Sequence, residues 1–349
     1  MDRKILKITT ALTVALTLIM TMSMRFFPKI NEEYALAREM ENSVLAPKNV
    51  SAYVPDEVVE EEVNLKGQLK IEIPTGVTGQ QVVLEKDYIT QTILIKFPKL
   101  VGDYFSQYGM SGSSDHIESL QYYEEGECGV IAIKTDKVYE LNSEFDNTNI
   151  YLKFLSPHEV YDKVVVVDAG HGDRKTGATK NGIQEKDIYL DITMCLKELF
   201  DEYEGNIGVY YTRTNDVDPS FQQRADLANK TEADLFISIH SNSSGSGNFT
   251  GENGTQVLYS QSDDSEFSSK RFAEICLTNV TSQLESKNMG LVEADDIYII
   301  RSSNVPVALV EVGFMSNRAE LDKLVDKEYQ RKAAQGIFNA CMQAFEEGY

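Results

Sequence analysis

Apolar residues in this chain follow two different periods. Between about Val63 and Ser156 they recur at every second position in short runs: Leu69, Ile71 and Ile73; Ile93, Ile95 and Phe97; Ile131 and Ile133; Ile150, Leu152 and Phe154. Such alternation, broken by turns containing Gly and Asp, predicts half-buried strands. No long helical period interrupts them, so residues 63–156 are expected to form a small all-β sandwich. From Tyr161 onward, apolar strands alternate with amphipathic stretches. Strands are predicted over 163–168, 208–213, 235–240 and 254–260, near 296–301 and over 306–311. Helices are predicted over 186–203, 219–230 and 264–286, followed by two more at the C-terminus. The expected fold of residues 161–349 is therefore α/β, with a mostly parallel sheet flanked by helices.

The N-terminus follows neither period. Arg3, Lys4 and Lys7 precede a run from Ile8 to Met24 without a charge, and Arg25 and Lys29 close it. Residues 1–30 thus read as a membrane-directed segment. The run lies at the short edge of the roughly 20 residues that a spanning helix needs and slightly above a usual signal-peptide core. The nearest small-x-small site, Ala35-Leu-Ala37, lies well beyond Met24, which favours an uncleaved anchor over a removed signal peptide. Residues 31–62 carry many glutamates together with Pro47 and Pro55, the composition of a solvated acidic linker.

Charge narrows the partners. With 33 basic and 55 acidic residues the formal net charge is -22, which repels phosphate backbones and argues against nucleic acid. If the substrate is itself polyanionic, it would have to be captured by local groups against this global field, and its binding should tighten with salt. Cys128, Cys195, Cys276 and Cys341 lie far apart with no CxxC pair, so they read as small apolar side chains, with a disulfide open after export.

The second domain carries the candidate chemistry. Three of its predicted strands end at His171, at His240 and at Glu311. In open α/β sheets ligands gather outside the carboxyl ends of strands, so these side chains are expected to share one crevice. Glu185 follows a polar loop and opens a predicted helix, whose dipole favours an ionised carboxylate there. Two imidazoles and one carboxylate suit a catalytic Zn²⁺ whose fourth position stays open for water. Glu311 would then act as general base and acid. The competing reading makes His171 and His240 satisfied core histidines and Glu311 a salt-bridged residue. Their joint placement at strand ends favours the metal.

The segments DAGHGDRKTGA (168–178), NGIQEKD (181–187), YTRTND (211–216), RADLAN (224–229), FISIHSN (236–242) and VEVGFMSN (310–317) resemble the zinc-dependent N-acetylmuramoyl-L-alanine amidases often called the amidase-3 family. The resemblance covers about Lys163 to Glu347. It implies zinc ligands at His171, Glu185 and His240 and a catalytic glutamate at Glu311. It also implies cleavage of the amide between N-acetylmuramic acid and L-alanine in peptidoglycan, outside the cytoplasmic membrane. Asn242 and Arg301 lie beside matched motifs and are candidate substrate contacts, a capping Asn and a surface Arg being equally good readings.

Some relatives insert an occluding helix after the second histidine, whereas Ser241 to Gly254 is short and rich in Gly, Ser and Asn, predicting an open rim. The β-domain resembles, loosely, the AMIN domain associated with wall targeting. The chain has no Trp, so sugar stacking would fall to tyrosines such as Tyr122 and Tyr123, ordinary strand positions being the simpler reading. Two rival functions remain: a zinc peptidase acting on the stem peptide, and a wall-binding scaffold with an inactive hydrolase domain. No regulatory protein partner is legible in the sequence.

Overall fold

A computed structural model describes residues 51–52, 68–113, 115–244, 248–261 and 267–349. The predicted membrane segment 1–30 and most of the acidic linker lie outside the described residues. Among the described residues no helix is long and apolar enough to cross a membrane.

Residues 68–155 carry β2 to β9, and β1 (Ser51–Ala52) joins them from within the stretch read as linker. The strands are β2 (Leu69–Glu72), β3 (Val83–Asp87), β4 (Thr92–Phe97), β5 (Met110–Gly112), β6 (Ile117–Glu125), β7 (Cys128–Thr135), β8 (Glu140–Phe145) and β9 (Asn149–Leu155), with a one-turn helix α1 (Tyr104–Gln107) before β5. They form two sheets, ordered β1-β6-β7-β4-β3 and β5-β2-β9-β8, with antiparallel pairing throughout. Period-two side chains from both sheets, among them Ile71, Ile150 and Leu152 from one and Ile95, Ile131 and Ile133 from the other, make a shared core. Tyr122 belongs to that core. It is 2% exposed, stacks 5.8 Å from Tyr104 and accepts a hydrogen bond from the Val101 amide through its hydroxyl. It is therefore not available to stack a sugar; Tyr123 is half-buried.

A short helix α2 (Pro157–Val160) leads into the second layer system. Its elements are β10 (Lys163–Ala169), the hairpin β11 (Thr179–Lys180) and β12 (Ile183–Gln184), α3 (Glu185–Glu202), β13 (Ile207–Tyr211), α4 (Phe221–Lys230), β14 (Leu235–Asn242), β15 (Thr255–Tyr259), α5 (Ser269–Leu284), β16 (Asn288–Glu293), α6 (Tyr298–Arg301), β17 (Val307–Phe314), α7 (Arg318–Leu324) and α8 (Lys327–Glu346). The sheet order is β13-β10-β14-β17-β15-β16. It is mixed: β13, β10, β14 and β17 run parallel, whereas β15 pairs antiparallel with β17. The central strands are buried on both faces, which is why they read as continuous Val, Ile and Leu runs. Val165 and Val167 pack with Ile188, Ile192 and Leu196 of α3 and with α5 and α8, while Val164 and Val166 pack on the opposite face with Leu227 and Ala228 of α4 and with α6.

Two expectations are corrected here. The stretch 296–301, read as a strand, is instead the turn of helix α6, and the strand lies earlier, at Asn288–Glu293. The short apolar run Ile297, Ile299, Ile300 is compatible with either state by period alone. Strand β16 sits at the sheet edge with no buried residue, so it carries no alternation to find. The helix predicted over 264–286 spans Ser269–Leu284, because the Ser268 hydroxyl caps it by accepting from the Arg271 amide and Glu285 takes a left-handed conformation at its end. All four cysteines are free, Cys276 and Cys341 being buried.

The β-sheets dock on the α4 face. Val138, 1% exposed, enters the core formed by Val164, Val166, Leu227, Ala228 and Phe236, and its amide donates to the Lys230 carbonyl at 3.1 Å. The rings of Tyr88 and Tyr210 meet edge to face at 4.9 Å, and both hydroxyls donate to Glu140 Oε1 at 2.8 Å. A buried apolar plug of this kind couples the two parts in stability. Val138→Asp should destabilise the protein by roughly 2–3 kcal/mol or more, because the carboxylate cannot stay in that core. Urea unfolding should show an earlier midpoint, and limited proteolysis should gain a cut within residues 156–162.

A candidate metal centre at the C-terminal edge of the sheet

His171, Glu185 and His240 converge beyond the carboxyl ends of β10 and β14. His171 Nε2 lies 3.1 Å from Glu185 Oε1, and His240 Nδ1 lies 3.4 Å from the same oxygen. One ligand atom from each residue falls within 4.8 Å of the others, and the two imidazole rings meet at 5.0 Å and 73°. Ligands held about 2.0–2.1 Å from a tetrahedral zinc stand roughly 3.3 Å apart, so the nitrogen–oxygen separations match the edges of such a site. The donor set fits the metal.

Each ligand is held by its own local device. His171 has a left-handed backbone (φ 59) in the turn leaving β10. A β-carbon on Gly170 would overlap the His240 ring, so only glycine lets that strand end approach so closely. Glu185 is the first residue of α3, and its Oε2 accepts from the Ala178 amide at 2.5 Å while Oε1 faces the histidines. Burial by itself would raise this carboxyl. Hydrogen bonds from both imidazoles and their charge outweigh burial and hold it well below the usual range. His240 precedes a bulge in β14, a feature that re-aims side chains at sheet edges.

Glu311 stands directly opposite His240 in the β14–β17 register. Its Oε2 is buried with no hydrogen-bond partner among the described residues, and burial, then repulsion from Glu185, pushes the carboxyl up to about 8. Glu311 makes no ion pair among the described residues, so the structural reading of it as a salt-bridged residue does not apply.

Beneath the ligands lies a polar network. Asp168, 1% exposed, receives Arg224 Nη1, Thr212 Oγ1 and Ser238 Oγ, each at 2.6 Å. Arg224 also donates to the carbonyls of Ala169 and His171, both at 2.7 Å. Arg213 donates to the Gly170 carbonyl at 2.8 Å and to the Lys186 carbonyl at 2.7 Å, and so ties the His171 turn to the start of the helix bearing Glu185.

Burial would raise Asp168, but the Arg224 charge and the two hydroxyls bring it below its ordinary value. A depressed carboxylate contributes stability above its unfolded pKa of about 3.9, and this is lost as pH falls through the folded value. Arg224→Ala, which strands that charge, should cost about 3–5 kcal/mol at neutral pH. In metal-free protein, denaturant titrations at pH 7 and pH 3 should show the penalty shrinking in acid.

Comparison with known proteins gives the family. Residues 165–343 match the profile of a family described as N-acetylmuramoyl-L-alanine amidase, Amidase_3. The chain belongs to this amidase family. Over 177 residues it is 37% identical to an uncharacterized Bacillus subtilis (strain 168) protein, YqiI, covering 51% of this chain and 82% of that one. It is 34% identical over 178 residues to the N-acetylmuramoyl-L-alanine amidase LytC of the same strain, covering 51% of this chain but only 34% of LytC. The crystal structure of an N-acetylmuramoyl-L-alanine amidase from Clostridium difficile 630 superposes with a TM-score of 0.50 at 29% identity, over 54% of this chain and 98% of that chain.

The remaining candidates, Asn242 and Arg301, are held by local contacts. Asn242 uses its side chain to fix the end of β14, its amide donating to Gln256 Oε1 at 3.1 Å and its Oδ1 accepting from the Ser243 amide at 2.9 Å. Arg301 is exposed, donates to the Asp296 carbonyl at 2.8 Å and lies over the Tyr298 ring. Beyond β14, the described residues 248–254 are tied to the segment after β17: the Thr250 amide donates to Ser316 O at 2.7 Å and the Gly254 amide to Glu320 Oε1 at 2.9 Å.

Sequence reasoning assigned no role to Asp168, Arg213, Arg224 or Tyr189. Tyr189 lies one turn along α3 from Glu185, fully buried, with its ring 5.4 Å from that of His240. The available signal was a charge on an apolar face: Asp168 closes a valine run, and Arg224 is followed by the apolar positions Ala225, Leu227 and Ala228.

Proposed function

We propose that this protein is a zinc-dependent N-acetylmuramoyl-L-alanine amidase that hydrolyses the amide between N-acetylmuramic acid and L-alanine in peptidoglycan, working outside the cytoplasmic membrane. Zinc would be held by His171, Glu185 and His240, and Glu311 would move the proton. The observation that carries this reading is the convergence of one donor atom from each of the three residues to within 4.8 Å, with both nitrogen–oxygen separations near a tetrahedral edge and a buried, unpartnered carboxyl on the neighbouring strand. Bound zinc supplies a Lewis acid that polarises the scissile carbonyl and makes water a nucleophile near neutral pH. Glu311 takes one proton from the attacking water as its oxygen bonds to the carbonyl carbon. It then delivers that proton to the alanine nitrogen as the carbon–nitrogen bond breaks, leaving a lactyl carboxylate and a free amine.

Residues 1–30 would anchor the chain to the membrane, and the β-sheets of residues 68–155 would help place it on the wall. Digestion of purified sacculi by the full chain tests reaction, substrate and metal together. Products should carry a free lactyl carboxylate and a free alanine amine, and a chelator should stop their release. Cleavage inside the stem peptide would instead assign the chain to the peptidases, and wall binding without turnover or metal would make it a scaffold.

A further inference from the structure

The turn that carries His171 is held against its own backbone preference. His171, Gly172 and Asp173 have φ values of 59°, 137° and 44°, three consecutive residues in the left-handed region, two of them with side chains that crowd the backbone there. Such a turn persists only where its surroundings over-determine it. A β-carbon on Gly172 would meet the Val217 carbonyl at 2.0 Å, so the segment that follows β13 lies directly on the turn. From that segment Asp216 reaches in. Its Oδ1 accepts from the Asp173 amide at 2.8 Å, and its Oδ2 accepts from Lys186 Nζ at 2.5 Å. Lys186 Nζ donates again to the Asp173 carbonyl at 2.9 Å. Both backbone groups of Asp173 are therefore taken by one ion pair. Lys186 directly follows Glu185 in α3, and Asp173 lies two residues after His171, so the pair joins two ligand-bearing segments. Lys186 is only 8% exposed, and its ammonium spends its donors on these two acceptors.

We propose that Lys186 and Asp216 are positioning residues for the metal: their ion pair keeps the left-handed turn closed and so presents His171 to Glu185 before zinc arrives. The inference rests on the zinc reading of the site and extends it to what preorganises the ligands. Arg213 and Arg224 hold the carbonyls of Gly170 and His171, and the Lys186–Asp216 pair fixes the far side of the same turn. Where only a fraction of the molecules holds a binding-competent turn, the apparent Kd rises by the inverse of that fraction. Loss of the pair therefore shows in metal affinity, whereas the chemical step of a molecule that has bound zinc is left intact, because Lys186 Nζ is committed to Asp173 and Asp216.

The test is zinc affinity by chelator competition on the full chain in mild detergent, for native protein, Lys186→Met, Asp216→Ala and the double variant. Methionine keeps most of the lysine stem, and the Asp216 side chain is 50% exposed, so neither change opens the core. Each single variant should bind zinc about 10–100-fold more weakly, the range for removing a group that orients a ligand from behind. The double variant should be no weaker than the poorer single, since both changes remove one device. In zinc-free protein, hydrogen exchange should quicken at the Asp173 amide and stay unchanged in α8. With zinc raised to saturation, the turnover number on sacculi should return close to native. Should Lys186→Met fail to fold, Asp216→Ala carries the test alone. Native zinc affinity in the folded variants would overturn the proposal and leave the zinc reading standing, and a turnover number that stays low at saturating zinc would overturn it too. If the native chain itself takes up no zinc, the metal reading fails and the proposal falls with it.

Discussion

Glu311→Gln should keep its zinc and lose turnover by about 10²–10⁴-fold, the span that a positioned proton-transfer group contributes. Glutamine preserves the shape of the side chain opposite His240 but cannot accept a proton from water. None of the three ligands is touched, so metal content measured by chelator competition should remain stoichiometric. A linked effect sharpens the prediction. Without metal, burial and the nearby Glu185 charge push Glu311 up to about 8, so it holds its proton at neutral pH. A dication arriving beside it favours the carboxylate, and the proton leaves. Zinc uptake in weakly buffered solution near pH 7 should therefore release about one proton more from the native protein than from Glu311→Gln. Undiminished activity in the Gln variant would remove Glu311 from the mechanism.

The second large effect is expected at the ligands. His171→Ala or His240→Ala leaves two donors, and the zinc should no longer be retained through gel filtration, with amidase activity falling to background. The consequence reaches stability, because a ligand that binds only the folded state adds RT ln(1 + [L]/Kd), about 4 kcal/mol at a thousand-fold excess over Kd. Native protein should melt at higher temperature with zinc than with chelator, and either His variant should lose that difference. In the absence of metal, the same variants should also lose some stability at neutral pH, since each imidazole hydrogen-bonds the buried Glu185 carboxylate and helps to keep it ionised. A variant that kept both the zinc and the thermal shift would show that its histidine is a bystander.

Much of the fold was legible because it is written in short-range periods. Ile93, Ile95 and Phe97 alternate, and they form β4. Ile188, Ile192 and Leu196 recur at helical spacing, and they form the buried stripe of α3. Val164 to Val167 form an unbroken run, and they lie in a strand covered on both faces. Three of the four candidate residues, His171, His240 and Glu311, stood out for a related reason, since polar, ligand-type side chains at the ends of apolar strands have no packing role there, and Glu185 stood out as an acid that opens a helix. Where no local pattern existed, the reading failed. Strand β16 is an exposed edge, and the apolar run that becomes α6 is too short to show its period.

What the amino-acid order determined alone is thus the kind of each element that carries a clear local period and the chemical type of each candidate site residue, since both are read from neighbours two to four positions away. Tertiary structure decided the rest. Strand order places β10 beside β14 and β14 beside β17, and only this brings His171, His240 and Glu311 to one edge. Asp168 finds Arg224, Arg213 bridges two ligand-bearing segments, and Val138 enters a core built by distant residues. Such pairings join positions far apart in the chain, and their energy comes from burial and charge satisfaction that exist only once the sheet has formed.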